Sequence, residues 1–245
     1  MTNIKTSILY ENDITDLSNK FHSLRNIDIS HLMFKDWIYT KPHKLGYEKV
    51  KKANVIFLGQ TGYGKSSLIN SILNRDVFKT SDYQSCTKVL QAADFHLNHN
   101  HKNEKLACVL SFVDLPGIGE SDKADEKYLN WYREYVQEAA VIVYLFRADK
   151  RDHTQDEFFF NHVFDKSLGE RLICVVSQAD KIEPLSRGDS LSEAQKQSLK
   201  LKKTELKRKS FLNIKNITMI PVSTLLNYNI YSLEDHILDK LRSLS

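Results

Sequence analysis

The octapeptide Gly59-Gln-Thr-Gly-Tyr-Gly-Lys-Ser66 restricts the fold of this chain more than any other stretch of its sequence. It satisfies the pattern GxxxxGK[ST] in full. It also lies between a short apolar run, Val55–Leu58, and a stretch of helical character, Lys65–Leu73. Glycine at these offsets lets the backbone curl so that its N–H groups converge on phosphate oxygens, helped by the positive end of the following helix. Residues Gly59, Gln60, Thr61, Gly62, Tyr63, Gly64, Lys65, Ser66 and Ser67 are therefore candidates for cradling a nucleotide phosphate chain. Lys65 would neutralise the β- and γ-phosphates, and the Ser66 hydroxyl would face Mg²⁺. The chain holds only 8 glycines, and five of them fall in this loop (Gly59, Gly62, Gly64) and in or just after one other (Gly117, Gly119).

That second loop is Asp114-Leu-Pro-Gly117, directly after the apolar stretch LACVLSFV. A carboxylate at a strand end suits the hydration shell of Mg²⁺, and the Gly117 N–H suits a terminal phosphate. Ser177-Gln-Ala-Asp180 follows a third apolar run, Leu172–Val176.

With these three motifs the chain resembles the translation-factor class of P-loop GTPases. The resemblance is to the Era/septin-like group and the prophage-borne YeeP/YfjP-like GTPases, whose QADKIEP stretch appears here as Gln178–Pro184. It covers about residues 53–245. It implies an α/β fold: a three-layer P-loop NTPase G domain on a six-stranded, mostly parallel sheet, preceded by a helical extension over 1–52. It also implies GTP/GDP and Mg²⁺ as ligands, and catalytic parts for Lys65, Thr87 and Gly117. Ser66, Thr87 and Asp114 would be the metal set, with Thr87 of Ser85-Cys-Thr-Lys88 the threonine of the first switch. Gln178, Asp180 and Ser223 would hold the base, Ser223 belonging to the loosely specified Pro221-Val-Ser-Thr224 loop.

The sequence departs from the family at four places. Ser177 stands for Asn or Thr, and Gln178 for the Lys whose stem covers the base. Ile118 occupies the place of the water-orienting Gln, which predicts slow intrinsic turnover stimulated by dimerisation or by a protein partner. Glu120, Ser121 and Asp122 are nearby alternatives for orienting water, and Arg147 or Arg151 for an internal arginine finger. Gly62 stands where potassium-activated relatives carry Asn, so no strong potassium stimulation is expected.

Outside the motifs, strands and helices alternate. A hairpin is expected from Val89–His96 and Leu106–Val113 around LNHNHKNE. Helices are expected at Asp125–Gln137, Asp156–Val163, roughly 190–212 and Leu233–Leu241, and strands at Val141–Phe146 and Ile217–Val222. Pro221 cannot donate to a ladder and so belongs at a sheet edge. In the extension, Ile14, Leu17, Phe21 and Leu24 predict one amphipathic helix, and Ser30 a second carrying Phe34, Trp37 and Ile38. These helices would pack on the G domain or form a dimer or partner surface.

Composition bounds the remaining choices. Apolar residues at 41% of 245 allow a sizeable core. The longest apolar run, Ala139–Phe146, is far short of the roughly 18 residues that span a bilayer. With no signal-like start, a soluble, cytoplasmic chain is expected, and a membrane partner is disfavoured. Three widely spaced cysteines (Cys86, Cys108, Cys174) argue against a disulfide framework. His96, His99 and His101 crowd the hairpin tip, where a solvated polar loop is favoured over a metal site.

The net charge of +4 is unevenly placed: residues 181–215 carry ten Lys/Arg against four acids, a local +6. The aromatics needed for base stacking are missing there, which favours a solvated helix face over contact with RNA phosphates or an anionic membrane. Two alternatives to a GTP switch therefore stay open. One is an RNA- or ribosome-associated assembly factor working through this helix, and the other is a nucleotide-binding scaffold without turnover.

Overall fold

A computed structural model describes residues 5–9, 35–40, 47–80, 90–101, 104–118, 122–186 and 188–243. Among these residues eight strands form one sheet: β1 (Lys5–Leu9), β2 (Lys35–Thr40), β3 (Tyr47–Leu58), β4 (Gln91–His101), β5 (Glu104–Asp114), β6 (Val141–Arg147), β7 (Leu172–Ser177) and β8 (Thr218–Pro221). Along the sheet the order is β1-β4-β5-β3-β6-β7-β8, with β2 paired to β3. The six strands from β3 to β8 are parallel except β4, which runs back along β5 as the expected hairpin. β8 is an edge strand, which suits Pro221.

Among the described residues five α-helices cover the sheet: α1 (Lys65–Leu73), α2 (Asp122–Glu138), α3 (Thr154–His162), α4 (Glu193–Lys207) and α5 (Ile230–Ser243). Strands buried on both faces must be apolar at every position, and alternate side chains then feed two separate cores. Val55, Phe57, Val141, Val143, Leu145, Ile173 and Val175 pack with α1 and α5. Their neighbours Ile56, Leu58, Ile142, Tyr144, Phe146, Cys174 and Val176 pack with α2, α3 and α4. This is the three-layer α/β architecture that the alternation of elements predicts.

Residues 35–40 correct one expectation. Trp37 and Ile38 lie in β2, antiparallel to the first half of β3, and not in a helix. The run Trp-Ile-Tyr-Thr is aromatic and β-branched, and the upstream half of β3 offers it a ladder. The helix expected over Ile14–Leu24 lies outside the described residues.

The basic helix is also shorter than expected. Ser192 and Gln195 form a reciprocal capping box that starts α4 at Glu193, and after Lys207 a separate 3₁₀ turn covers Ser210–Leu212. Leu199 and Leu206 face the core while Leu201 is exposed.

A buried polar chain seats α4 on the body. Both Asp156 oxygens are engaged, by the Tyr144 hydroxyl at 2.8 Å and His153 Nδ1 at 2.9 Å. Lys202 lies 3.2 Å from His153 Nε2 and donates to the Lys150 carbonyl at 2.6 Å. An ammonium only donates, so Nε2 accepts and the Nδ1 proton points at Asp156.

Candidate nucleotide site

Five parallel strands of the described residues end at the carboxyl edge of the sheet, where β3, β5, β7 and β8 lead into the loops that follow Leu58, Asp114, Ser177 and Pro221. β3 sits between β5 and β6, where the strand order reverses, the place at which open α/β sheets hold ligands.

The phosphate loop turns through glycines with positive φ: 141° at Gly59, 78° at Gly62 and 85° at Gly64. At Gly59 there is no room for a side chain either, since a Cβ would come within 2.7 Å of the Leu145 carbonyl oxygen. Gly64 is the N-cap of α1 and supplies no side-chain cap, so the first turn of α1 keeps its donors for an anion. Lys65 is buried and donates to the carbonyls of Gly59 at 3.1 Å and Gln60 at 3.3 Å. Its charge is thereby held over the loop.

The Asp114 loop docks directly on the phosphate loop. Thr61 N donates to the Ile118 carbonyl at 3.1 Å, and Ile118 N to the Gly59 carbonyl at 3.4 Å. A Cβ on Gly117 would lie 2.3 Å from Thr61 Oγ1, so only glycine permits this approach. Tyr132 of α2 ties the loop down by donating to the Pro116 carbonyl at 2.6 Å. Ile118 itself is buried in the core with Tyr132 and Leu115, directed away from solvent.

Asp114 is completely buried, and Ser66 donates a hydroxyl hydrogen bond to its Oδ2. Its Oδ1 is buried without a hydrogen-bond partner among the described residues. Burial pushes the carboxyl above the ordinary carboxylate value, against the opposing pull of Lys65 and Ser66. A hard-oxygen pair with one orphaned carboxylate oxygen fits Mg²⁺, which favours few protein ligands and several waters. Thr87, expected to complete this set, lies outside the described residues, as do Glu120 and Ser121.

The Asp180 end, expected to hold the base, is equally connected. Ser177 donates to the Tyr63 carbonyl at 2.7 Å, and Gln178 Nε2 donates to the Gly62 carbonyl at 2.8 Å. Ser177 and Gln178, two of the four departures from the family pattern, thus fasten the Asp180 loop to the phosphate loop. Ser223 donates to Asp180 Oδ1 at 2.5 Å, and Ala179 N to the Val222 carbonyl at 3.0 Å. The 223 loop is closed by paired backbone bonds between Ser223 and Tyr228. Beside Ser67 and Thr224 a cleft of about 850 Å³ opens between α1 and α5.

The structure therefore brings residues 59–67, Asp114, Gly117, Gln178, Asp180 and Ser223 to one end of the sheet. Arg147 is not aimed at this site as an isolated cation: its guanidinium forks onto Asp149 at 2.6 and 2.9 Å. Sequence reading missed Tyr132 and Gln195. The Ser-x-x-Gln spacing of a capping box was the available signal for Gln195.

Comparison with known proteins agrees with this arrangement. The family model described as 50S ribosome-binding GTPase matches residues 54–178, just over half of the chain. The uncharacterised proteins YkfA and YfjP of Escherichia coli K12 are each 37% identical over 145 residues, covering 59% of this chain and 48% of their own length. This chain thus spans about half the length of those two relatives. The probable GTP-binding protein EngB of a Thermotoga species (strain RQ2) is 30% identical over 193 residues, covering 77% of this chain and 87% of EngB. A crystal structure of Era in complex with MgGDPNP and a 16S ribosomal RNA segment matches with a TM-score of 0.55 and 26% identity, covering 78% of this chain and 57% of Era. On its motifs, its sheet and these likenesses together, the chain is a P-loop GTPase related to Era, EngB and YfjP and belongs to the 50S ribosome-binding GTPase family.

Proposed function

We propose that the chain binds guanine nucleotide and Mg²⁺ and hydrolyses GTP to GDP and phosphate, acting as a switch with slow intrinsic turnover. In this reading residues 53–245 are the G domain and residues 1–52 an appendage to it. The observation that carries it is the fastening of the base loop to the phosphate loop by Gln178 and Ser177, with Asp180 held by Ser223. A phosphate site and a guanine-reading carboxylate are thereby fixed at a set separation.

Hydrolysis by in-line attack of water is mainly a matter of positioning and charge. Lys65 would turn from the Gly59 and Gln60 carbonyls to the β- and γ-phosphates. Ser66 and Asp114 would hold the metal, which supplies charge neutralisation at the phosphate oxygens. Thr87 would close the first switch, and the Gly117 N–H would meet the γ-phosphate. Ile118 faces the core and brings no polar atom to a water, so a partner or a second copy would complete the catalytic set.

The test is nucleotide titration of the wild type, Lys65→Ala and Asp180→Ala. Lys65→Ala should weaken GTP by about a hundredfold. Asp180→Ala should erase the preference for GTP over ATP. Equal binding of ATP by the wild type would refute the base assignment, and fast turnover by dilute monomer would refute the slow-switch reading.

A second reading, contact with RNA or a ribosome, rests on α4. Glu193 pairs with Lys196, and Glu205 lies 3.3 Å from buried Lys202. Lys200, Lys207 and Arg208 are exposed, and Lys203 is pushed below the ordinary lysine value by partial burial and then by Lys207. The helix therefore presents a positive face. Salt-dependent co-sedimentation with ribosomes, lost on reversing charge at Lys203 and Lys207, would support this reading.

A further inference from the structure

The carboxylate proposed to read the base sits on a slight support. Asp180 lies in a single 3₁₀ turn, Ala179–Lys181, entered through Gln178 at φ 52°. Ser223 restrains its side chain. Its backbone is restrained by Gln195, which comes from the first turn of α4 and is 2% exposed. Gln195 Nε2 donates to the carbonyls of Asp180 at 3.1 Å and Ile182 at 3.3 Å. Its Oε1 accepts from Ser192 N at 3.0 Å and from the Ser192 hydroxyl at 3.2 Å. The two carbonyls and the Ser192 N–H fix the orientation of the amide without the hydroxyl, because carbonyls only accept and a backbone N–H only donates.

The two halves of this amide do different work. A capping box needs only an acceptor at this position, and glutamate serves it as well as glutamine. The two donors to Asp180 and Ile182 can come from the amide alone, since a carboxylate there would set oxygen against oxygen. The choice of Gln over Glu therefore serves the base loop and not the helix. The anchor is firm, because Lys202 on the same helix is buried and bonded to the Lys150 carbonyl.

We infer that Gln195 is the positioning residue for base selection: its amide holds the Asp180 turn at the height where the carboxylate meets both donors of a guanine edge. The inference rests on the guanine-nucleotide reading above.

It is tested with GDP, IDP and ADP, IDP lacking the exocyclic amine that makes the second hydrogen bond. Affinities are measured for the wild type, Gln195→Glu, Gln195→Met and Ser192→Ala, alongside melting of each protein without nucleotide. Gln195→Glu keeps the cap acceptor and loses the donors, while Gln195→Met removes both without adding charge. Whichever of these two folds should show a GDP-to-IDP affinity ratio lowered about fivefold, the worth of one weakened hydrogen bond. Ser192→Ala should lower the melting temperature and leave the ratio unchanged. An unchanged ratio in a folded Gln195 variant, or an equal fall in Ser192→Ala, overturns the inference alone. A wild type that binds ADP as well as GDP overturns the guanine reading and this inference with it.

Discussion

The Ser177 hydroxyl donates to the Tyr63 carbonyl at 2.7 Å and also lies 3.2 Å from the Phe146 carbonyl. One proton thus serves the end of β6 and the middle of the phosphate loop from the end of β7. Ser177→Ala would leave both buried carbonyls short of a donor. It should cost about 1–2 kcal/mol of stability in urea denaturation and speed GDP release, seen by displacement of a fluorescent analogue.

Tyr63 carries the opposite defect. Its side chain is buried in the core that α1 and α5 share, and its hydroxyl is buried with no hydrogen-bond partner among the described residues. Burial, and secondarily Asp156, push its ionisation far above the ordinary phenol value. Tyr63→Phe removes the stranded group and keeps the ring. The variant should be more stable by about 1 kcal/mol, read as a higher urea midpoint at unchanged slope.

Gly117→Ala tests the contact between the two phosphate-facing loops. Its Cβ would also fall 2.7 Å from Thr61 N and Thr61 Cα, which are backbone and cannot swing aside. The loop must then lift, breaking the bonds between Ile118 and the phosphate loop. A loss of about 1–3 kcal/mol is expected, with faster amide exchange at Ile118 and Thr61.

Cys174 reports global unfolding. It is fully buried, and burial pushes its thiol far above the ordinary value of 9.0. In a Cys86→Ser, Cys108→Ser background, a thiol reagent at pH 8 should react only at the rate of global opening. The sign of the pH effect follows from the raised value. This contribution to stability is fully present below the unfolded thiol value and declines as pH rises beyond about 9. Cys174→Ala should flatten that alkaline decline.

Much of this was legible in the sequence. Doubly buried strands read as apolar runs, as at Val141–Phe146 and Leu172–Val176, and Pro221 marked an edge strand. Gly59, Lys65 and Ser66 are local in sequence, so their spacing alone announced a phosphate loop. What stayed hidden depends on partners far along the chain. Ser177 and Gln178 looked like defects in a motif, because their partners Tyr63 and Gly62 stand 114 and 116 residues away. The Gln195 amide gives no local sign of its partner, because the Asp180 turn it holds lies 15 residues back along the chain. Trp37 and Ile38 fitted a helical spacing because a six-residue strand pairing with β3 leaves little periodicity to distinguish it.

β3 is 12 residues long and its two ends have different companions. Tyr47–Lys52 is laddered to β2, whereas Val55–Leu58 lies between β5 and β6 and runs straight into Gly59. The strand therefore works as a rod with a handle at one end and the phosphate loop at the other. A load taken up by residues 35–40 would pass across the β2–β3 ladder and then along the covalent backbone of β3 to the residue whose φ allows no substitute for glycine. In this chain β2 is coupled to the phosphate loop through a single strand.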